Sequence, residues 1–233
     1  MFIKLFLGLL TLIIHIASNI FPSIINKRIK RKINGFLIKD IYSNKIKLHG
    51  NTELLNNYGN IILSNHYNIS DTNIIYSLMK NETYAVAKSD IFDEVIKNKT
   101  ISTILNKVIF RGANLISYKR KDKVDGMKVK KKILKLINKN KNVLIFPEGT
   151  STRNGVPKDF KNGIFKLASE HKIPILPITL KFEKDIGLNV KDKFRIKNLF
   201  NNKLAVYIHD EIISSDWEYL KKQTFNTIVN CTK

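Results

Sequence analysis

Cysteine is nearly absent from this 233-residue chain, since Cys231, close to the C-terminus, is the only one. A single thiol excludes an intramolecular disulfide and any metal site built on cysteine. This usage agrees with a reducing, cytosol-facing environment. The five histidines are scattered, and none has a ligand-like spacing to another. We therefore expect no metal and no bound cofactor.

Acidic residues are also scarce, with 19 Asp and Glu against 41 Lys and Arg, and the formal net charge is +22. Such an excess indicates a polyanionic partner, an anionic membrane surface, or compositional drift. Drift contributes, because only six of the basic residues are Arg. The basic residues are not gathered with aromatic residues on one element, so we expect no nucleic-acid partner.

Charge is missing altogether from Leu5 to Asn26, a segment rich in Leu, Ile and Phe. It is about as long as the ~20 residues that a helix needs to cross a bilayer. Five cations then occupy six positions, Lys27–Lys32, and predict that the following domain lies on the cytoplasmic face of a membrane. A cleavable signal peptide would instead carry its positive charge before the apolar run, so this pattern argues against one. A monotopic anchor stays open, because the segment contains four residues unusual against lipid: His15, Ser18, Asn19 and Pro22.

A second element follows in which Ile25, Ile29, Ile33 and Leu37 recur at every fourth position among cations. This pattern is typical of an amphipathic helix on anionic headgroups. The alternative is that this stretch docks on the protein core. We predict a membrane anchor over residues 1–40 and one domain over residues 41–233, since the chain shows no Gly/Ser linker and is short for two domains.

Beyond residue 45, short apolar runs alternate with stretches of helical period. They predict one α/β domain with a mixed, mostly parallel central sheet flanked by helices, after the N-terminal membrane-anchoring segment. The predicted strands are Lys45–Leu48, Asn60–Leu63, Thr83–Ala87, Ala113–Ser117, Val143–Phe146, Ile175–Phe182 and Ala205–Ile208. The predicted helices are Thr72–Lys80, Val124–Asn138, Gly163–His171 and Asp216–Val229.

One polar block follows the apolar run Ile61–Leu63 and contains His66, with Asp71 five positions later. Open α/β sheets place their sites at strand ends. On a continuous helix the two side chains would point about 140 degrees apart, so they meet only where the backbone turns. A carboxylate on one ring nitrogen would leave the other free as a general base. The alternatives are a structural histidine and an Asp71 that only caps the helix.

A second block, Leu144–Thr150, is again an apolar run that ends in a polar turn, here Pro-Glu-Gly-Thr. It is followed by hydroxyl residues and Arg153. Main-chain N–H groups, hydroxyls and a guanidinium together have the composition that a phosphate site requires. Taken alone, such a turn is common.

Together the blocks resemble the glycerolipid acyltransferase family, which includes 1-acyl-glycerol-3-phosphate acyltransferase. Four family motifs match in order over residues 61–180. The matched residues are Asn65, His66 and Asp71; Phe146–Thr150; Phe160, Lys161 and Gly163; and Ile173–Pro177.

The resemblance implies an enzyme of phospholipid biosynthesis that moves a fatty-acyl group from acyl-CoA or acyl-carrier protein to the free hydroxyl of lysophosphatidic acid. It implies that His66 accepts the hydroxyl proton, that Asp71 holds the imidazole, and that no covalent acyl-enzyme forms. Main-chain N–H groups in the turn after Leu63 are the expected oxyanion donors. The acceptor's glycerol and phosphate are expected to contact Lys119, Arg120, Glu148, Gly149, Thr150, Arg153 and Lys161.

Two motif positions depart from the family, and both concern the acceptor. The family's second motif ends in Ile-x-Arg, whereas here Tyr118 stands at the Arg position, and Lys119 and Arg120 follow it. The family's third motif, which Phe146–Thr150 matches, is often followed directly by an Arg. Here Ser151 stands at that position, and Arg153 is the nearest cation. Another lysophospholipid or an amino-lipid therefore stays an alternative acceptor, and a catalytically silent cationic membrane-binding protein is the alternative from another class.

Overall fold

A computed structural model describes residues 46–67, 70–89, 99–100, 103, 114–119, 122–152, 157–182 and 203–232. The predicted anchor over residues 1–40 lies outside these ranges, so the anchor and its boundary with the domain stay predictions. Within the described ranges, no helix combines the length and the apolar character needed to cross a bilayer.

The described residues form a seven-stranded sheet. Its strands are β1 (Ile46–Gly50), β2 (Ile61–Ser64), β3 (Thr83–Lys88), β4 (Leu115–Tyr118), β5 (Asn142–Ile145), β6 (Ile175–Phe182) and β7 (Leu204–Ile208). The spatial order is β1-β7-β6-β2-β5-β3-β4. Strands β6, β2, β5, β3 and β4 are mutually parallel, whereas β7 is antiparallel to β6 and parallel to β1.

Four α-helices flank this sheet in the described ranges: α1 (Ser70–Leu78), α2 (Lys123–Ile137), α3 (Gly163–Glu170) and α4 (Trp217–Thr232), and a short 3-10 helix spans Thr52–Asn56. Helix α2 begins where Asp122 accepts a hydrogen bond from the N–H of Asp125 at 3.0 Å. Its buried side consists of Val129 and Ile133, one turn apart. Its lysines lie on the exposed side.

The side chains of β2 point to opposite faces of the sheet and pack into different hydrophobic clusters. Ile62 packs with Ile74 and Ile75 of α1 on one face of the sheet. Ile61 and Leu63 pack on the other face, against residues from α3 and α4 that include Phe165 and Leu220. Strand β2 is thus buried on both faces, as its continuous apolar run predicts.

The predicted fold class is confirmed for the α/β domain: the sheet is mixed and mostly parallel, and helices cover both faces. Each predicted strand and helix is present; β6 has the predicted bounds, and no end of another element is shifted by more than three residues. Strand β6 tolerates Pro177 because its neighbour β7 ends at Ile208, and the opposite residue His209 donates its N–H to the Pro177 carbonyl at 3.1 Å.

Gly50, the last residue of β1, permits a close approach of two strands and gives a test of the sheet edge. It has φ +81, and a Cβ added there would collide with the Ile208 carbonyl oxygen. We expect Gly50→Ala to lower the free energy of unfolding by at least about 2 kcal/mol in urea denaturation. Gly126→Ala is the matched control, because a Cβ in that part of α2 meets nothing within 4 Å. It should stabilise the fold by about 0.5 to 1 kcal/mol, and equal losses in both variants would show that the close contact with Ile208 does not restrict position 50.

Candidate functional site

His66 and Asp71 come together because the chain turns between β2 and α1. The His66 Nδ1 atom lies 2.8 Å from the Asp71 Oδ2 atom, and the same oxygen accepts the Tyr67 N–H at 2.6 Å. Asp71 is fully buried, whereas the His66 side chain is 21% exposed. Since an ionised carboxylate only accepts hydrogen bonds, the arrangement assigns the proton to Nδ1 and leaves Nε2 with a free lone pair.

The imidazole ring is also supported from β5. It stacks on Phe146, with ring centroids 4.1 Å apart and planes 17° from parallel. Phe146 directly follows β5, and β5 is the parallel neighbour of β2 in the register Leu63↔Ile145. The two sequence blocks therefore form one site at the carboxyl edge of the sheet.

Glu148 connects the two blocks through the main chain. Its Oε1 accepts the N–H of His66 at 2.9 Å, and its Oε2 accepts the N–H of Lys158 at 2.9 Å. The residue is only 3% exposed. Burial raises the pKa of Glu148, against the lowering effect of the two N–H donors and of the nearby His66. Its predicted contact with the acceptor stays a prediction, and holding the His66 and Lys158 segments is a role that sequence did not indicate.

Thr152 makes the complementary contact with the His66 carbonyl. Its N–H donates to this oxygen at 2.7 Å and its Oγ1 donates to it at 3.2 Å. Thr152 is 3% exposed. Both main-chain polar groups of His66 are therefore bonded to the loop that follows β5.

Asn65 ties the turn after β2 to the other neighbouring strand. Its side chain donates to the Leu180 carbonyl at 2.8 Å and accepts the Leu180 N–H at 2.8 Å. This pair reproduces the contacts of a strand partner after β2 itself has ended. The turn that carries His66 is thus attached to β6 as well as to the β5 loop.

The remaining described acceptor candidates are Gly149 and Thr150 at the end of the second block, and Lys161 after it. Gly149 has φ +70, which favours glycine, and it is exposed together with Thr150. Lys161 donates its N–H to the Pro147 carbonyl at 2.9 Å, and its side chain is exposed. The Gly149 N–H donates to the Phe146 carbonyl at 3.0 Å, and the exposed Thr150 follows it in the turn.

Lys119 is placed farther from His66 than the other described candidates. It follows β4, which is three strand spacings, or about 14 Å, from β2 on the same edge of the sheet. Its N–H donates to Asp125 Oδ2 at 2.6 Å and its side chain is exposed. Arg120 and Arg153 lie outside the described residues.

The expectation about oxyanion donors needs a correction. The N–H groups of His66 and Tyr67, which lie in the turn after Leu63, are bonded to Glu148 and Asp71. A donor that already serves a buried carboxylate is not free for a transient oxyanion. These two groups are therefore excluded from that role.

Sequence reasoning missed two contributors to the site. Phe146 was matched as part of a motif without its role as a support for the imidazole ring, and Thr152 was not singled out. The apolar run before Pro147 indicated a buried strand but not which ring its last residue meets. No spacing in the sequence connects Thr152 to His66, because the two residues are 86 positions apart.

The acyltransferase family profile, described as "Acyltransferase", matches residues 45–181, which is more than half of the chain and includes both blocks. The chain belongs to this acyltransferase family. The predicted resemblance is thereby confirmed. Among solved structures, this acyltransferase-family protein is similar to the 1-acyl-sn-glycerophosphate (LPA) acyltransferase PlsC from Thermotoga maritima, at a TM-score of 0.58 and 17% identity. The alignment covers 98% of this chain and 95% of the Thermotoga chain, and it supports the fold.

Two curated relatives of this acyltransferase-family protein carry the name 1-acyl-sn-glycerol-3-phosphate acyltransferase. The protein of Borreliella burgdorferi is 40% identical over 79 residues, or 34% of this chain. The human alpha protein is 25% identical over 158 residues, or 67% of this chain. The matched stretches span 28% of the Borreliella protein and 53% of the human one, so they represent about a quarter to a half of these relatives' lengths.

The buried Glu148 predicts a pH-dependent contribution to stability. Because burial raises its pKa, the native state holds the Glu148 proton more tightly than the unfolded chain does. The resulting stabilisation is complete below the ordinary value of 4.5 and is lost as pH rises through the raised pKa. The advantage of the wild type over Glu148→Gln in free energy of unfolding should therefore shrink over the pH range above 4.5.

Urea unfolding of both proteins across that range measures this difference, in which the other titrating groups largely cancel. Glu53→Gln, at an exposed position in the short 3-10 helix, is the surface reference measured in parallel. An advantage of the wild type that grew with pH would show that the ionised form is the one that the native state favours.

Proposed function

We propose that this protein is an acyltransferase that transfers a fatty-acyl group from acyl-CoA or acyl-carrier protein to the free hydroxyl of lysophosphatidic acid, giving phosphatidic acid. The observation that carries the proposal is the 2.8 Å contact between His66 Nδ1 and Asp71 Oδ2, at the end of a buried strand. Membership of the acyltransferase family and the names of the relatives support the reaction and the acceptor.

In the proposed reaction the Nε2 atom of His66 accepts the proton of the acceptor hydroxyl as its oxygen attacks the thioester carbonyl. Asp71 keeps the Nδ1 proton in place and stabilises the imidazolium that forms. The tetrahedral intermediate then collapses, the carbon–sulfur bond breaks, and His66 returns its proton to the leaving thiolate. No acyl-enzyme is required, because the hydroxyl itself is the nucleophile.

The acceptor's phosphate is proposed to bind beside the exposed turn at Gly149 and Thr150, with Arg153, Arg120, Lys119 and Lys161 supplying cations. A phosphate suits these cations, since ammonium and planar guanidinium groups give short charge-assisted contacts to its oxygens. Residues 1–40 are proposed to hold the domain at a membrane with the site on the cytoplasmic side. A membrane position would bring the edge with His66 to its lipid substrate.

The reaction is tested with the full chain in vesicles, a panel of lysolipid acceptors and both donor types, read by product mass. We expect phosphatidic acid from lysophosphatidic acid, and a loss of about 10²- to 10⁴-fold for His66→Ala, because the base is removed. His171→Ala, at an exposed position, is the matched control. If no acceptor gave a product, the assignment as an acyltransferase would be rejected. If only another lysolipid gave a product, lysophosphatidic acid would be rejected as the acceptor. If His66→Ala kept more than a tenth of the wild-type rate, His66 would be rejected as the general base.

Arg120 and Arg153, which stand beside the family's usual arginine positions, provide a separate test of the acceptor site. We expect Arg153→Lys or Arg120→Lys to lower kcat/KM for lysophosphatidic acid about ten- to a hundredfold, because a bidentate charged contact is lost. Arg195→Lys, outside the motif blocks, is the control substitution. Measurement with a neutral monoacylglycerol should show a much smaller loss. An equal loss of kcat/KM with both acceptors would show that these arginines stabilise the fold or bind the acyl donor, and do not bind the acceptor phosphate.

A further inference from the structure

The carbonyl oxygen of His66 has both of its acceptor positions filled by one residue. The Thr152 N–H lies at 2.7 Å and the Thr152 Oγ1 at 3.2 Å from it. A carbonyl accepts two hydrogen bonds through its two lone pairs, so this group is saturated. We propose that Thr152 is a positioning residue that fixes the main chain of His66, and through it the direction of the imidazole, for the proposed acyl transfer.

The position of the imidazole depends on the main chain that carries it. The ring itself is held at Nδ1 by Asp71 and on one face by Phe146. Those contacts leave the ring free to move together with its own backbone unless the backbone is fixed. Glu148 fixes the His66 N–H and Thr152 fixes the His66 carbonyl, from the same loop. A base must lie within about 0.5 Å of its productive place, so such a second layer of contacts affects the rate.

Thr152 is suited to this task by its burial and its side-chain shape. At 3% exposure its hydroxyl is shielded from water, which would otherwise compete for the carbonyl. Its β-branched side chain has few rotamers, so the hydroxyl is pre-oriented at little cost in entropy. A valine at this position keeps the shape and the N–H contact and removes the hydroxyl donor alone.

The contact also connects the base to the acceptor loop. Thr152 lies between the proposed acceptor contacts at Gly149 and Thr150 on one side and Arg153 on the other. Any acceptor-driven shift of this segment is transmitted to the His66 carbonyl through the two hydrogen bonds from Thr152. The base and the acceptor turn therefore act as one hydrogen-bonded unit, a conclusion that rests on the proposed function.

The experiment compares Thr152→Val and Thr152→Ser with the wild type under the acyl-transfer assay. We expect Thr152→Val to lower kcat about two- to tenfold, as for the loss of one neutral hydrogen bond, with a smaller change in KM. Thr152→Ser, which keeps the hydroxyl, should restore most of the rate. The control is Thr224→Val in α4, where the buried Oγ1 has no hydrogen-bond partner among the described residues, so activity should not change.

A second measurement does not depend on activity. Diethyl pyrocarbonate modifies free imidazole nitrogens, and peptide mass spectrometry distinguishes His66 from the exposed His171 within one sample. We expect Thr152→Val to raise the modification rate of His66 relative to His171, because a loosened backbone lets the ring leave Phe146 and Asp71. Thr152→Ser and Thr224→Val should keep the wild-type ratio.

The outcomes separate this proposal from the proposed function. An inactive wild type would reject the function, while the modification ratio would still decide the role of Thr152. An active wild type with unchanged kcat and unchanged ratio in Thr152→Val would overturn the positioning role. The role would also be overturned if Thr152→Val unfolded by circular dichroism, or if Thr152→Ser failed to recover the rate, since Thr152 would then serve the fold in general.

Discussion

The parallel pairing of β2 with β5 is the constraint on which the site depends. The register Leu63↔Ile145 places the ends of both strands at one edge of the sheet, and residues that are 82 positions apart become hydrogen-bonded neighbours. Both strands are apolar and buried, so a shift by one residue would turn buried side chains to the opposite face. The apolar runs thus fix the geometry of the polar turns that follow them.

The electrostatics of the site contrast with those of the whole chain. The net charge is +22, and yet the residues bonded directly to His66 include two buried carboxylates, Asp71 and Glu148. A buried carboxylate requires hydrogen-bond donors, and here main-chain N–H groups supply several of them. These acids therefore order the backbone of the turn as well as the ring. Within the described ranges no lysine is buried, so the cations there stay accessible to a phosphate or a membrane.

Local sequence was sufficient for the elements and for the pairing of His66 with Asp71. The continuous apolar runs gave the strands, and a polar turn directly after β2 indicated that His66 and Asp71 meet there. The sequence alone could not assign the support of the ring by Phe146 or the contact of Thr152, because both depend on strand order across the sheet. The sequence also suggested the main-chain N–H groups after Leu63 as oxyanion donors. It could not show that two of these N–H groups are already hydrogen-bonded to the carboxylates of Glu148 and Asp71.

The chain is held on both sides of residues 153–156, and this arrangement has an evolutionary consequence. Thr152 is attached to His66, Lys158 is attached to Glu148, and Phe160 is fully buried against Phe165 and Phe225. Residues 153–156 lie between these fixed points. If the proposed acceptor site is correct, substitutions, insertions or deletions between them change which headgroup is recognised while His66 keeps its place. Under the proposed function, divergence in acceptor preference is then separated from loss of catalysis, and loop exchange between relatives becomes a practical route to new lipid specificity.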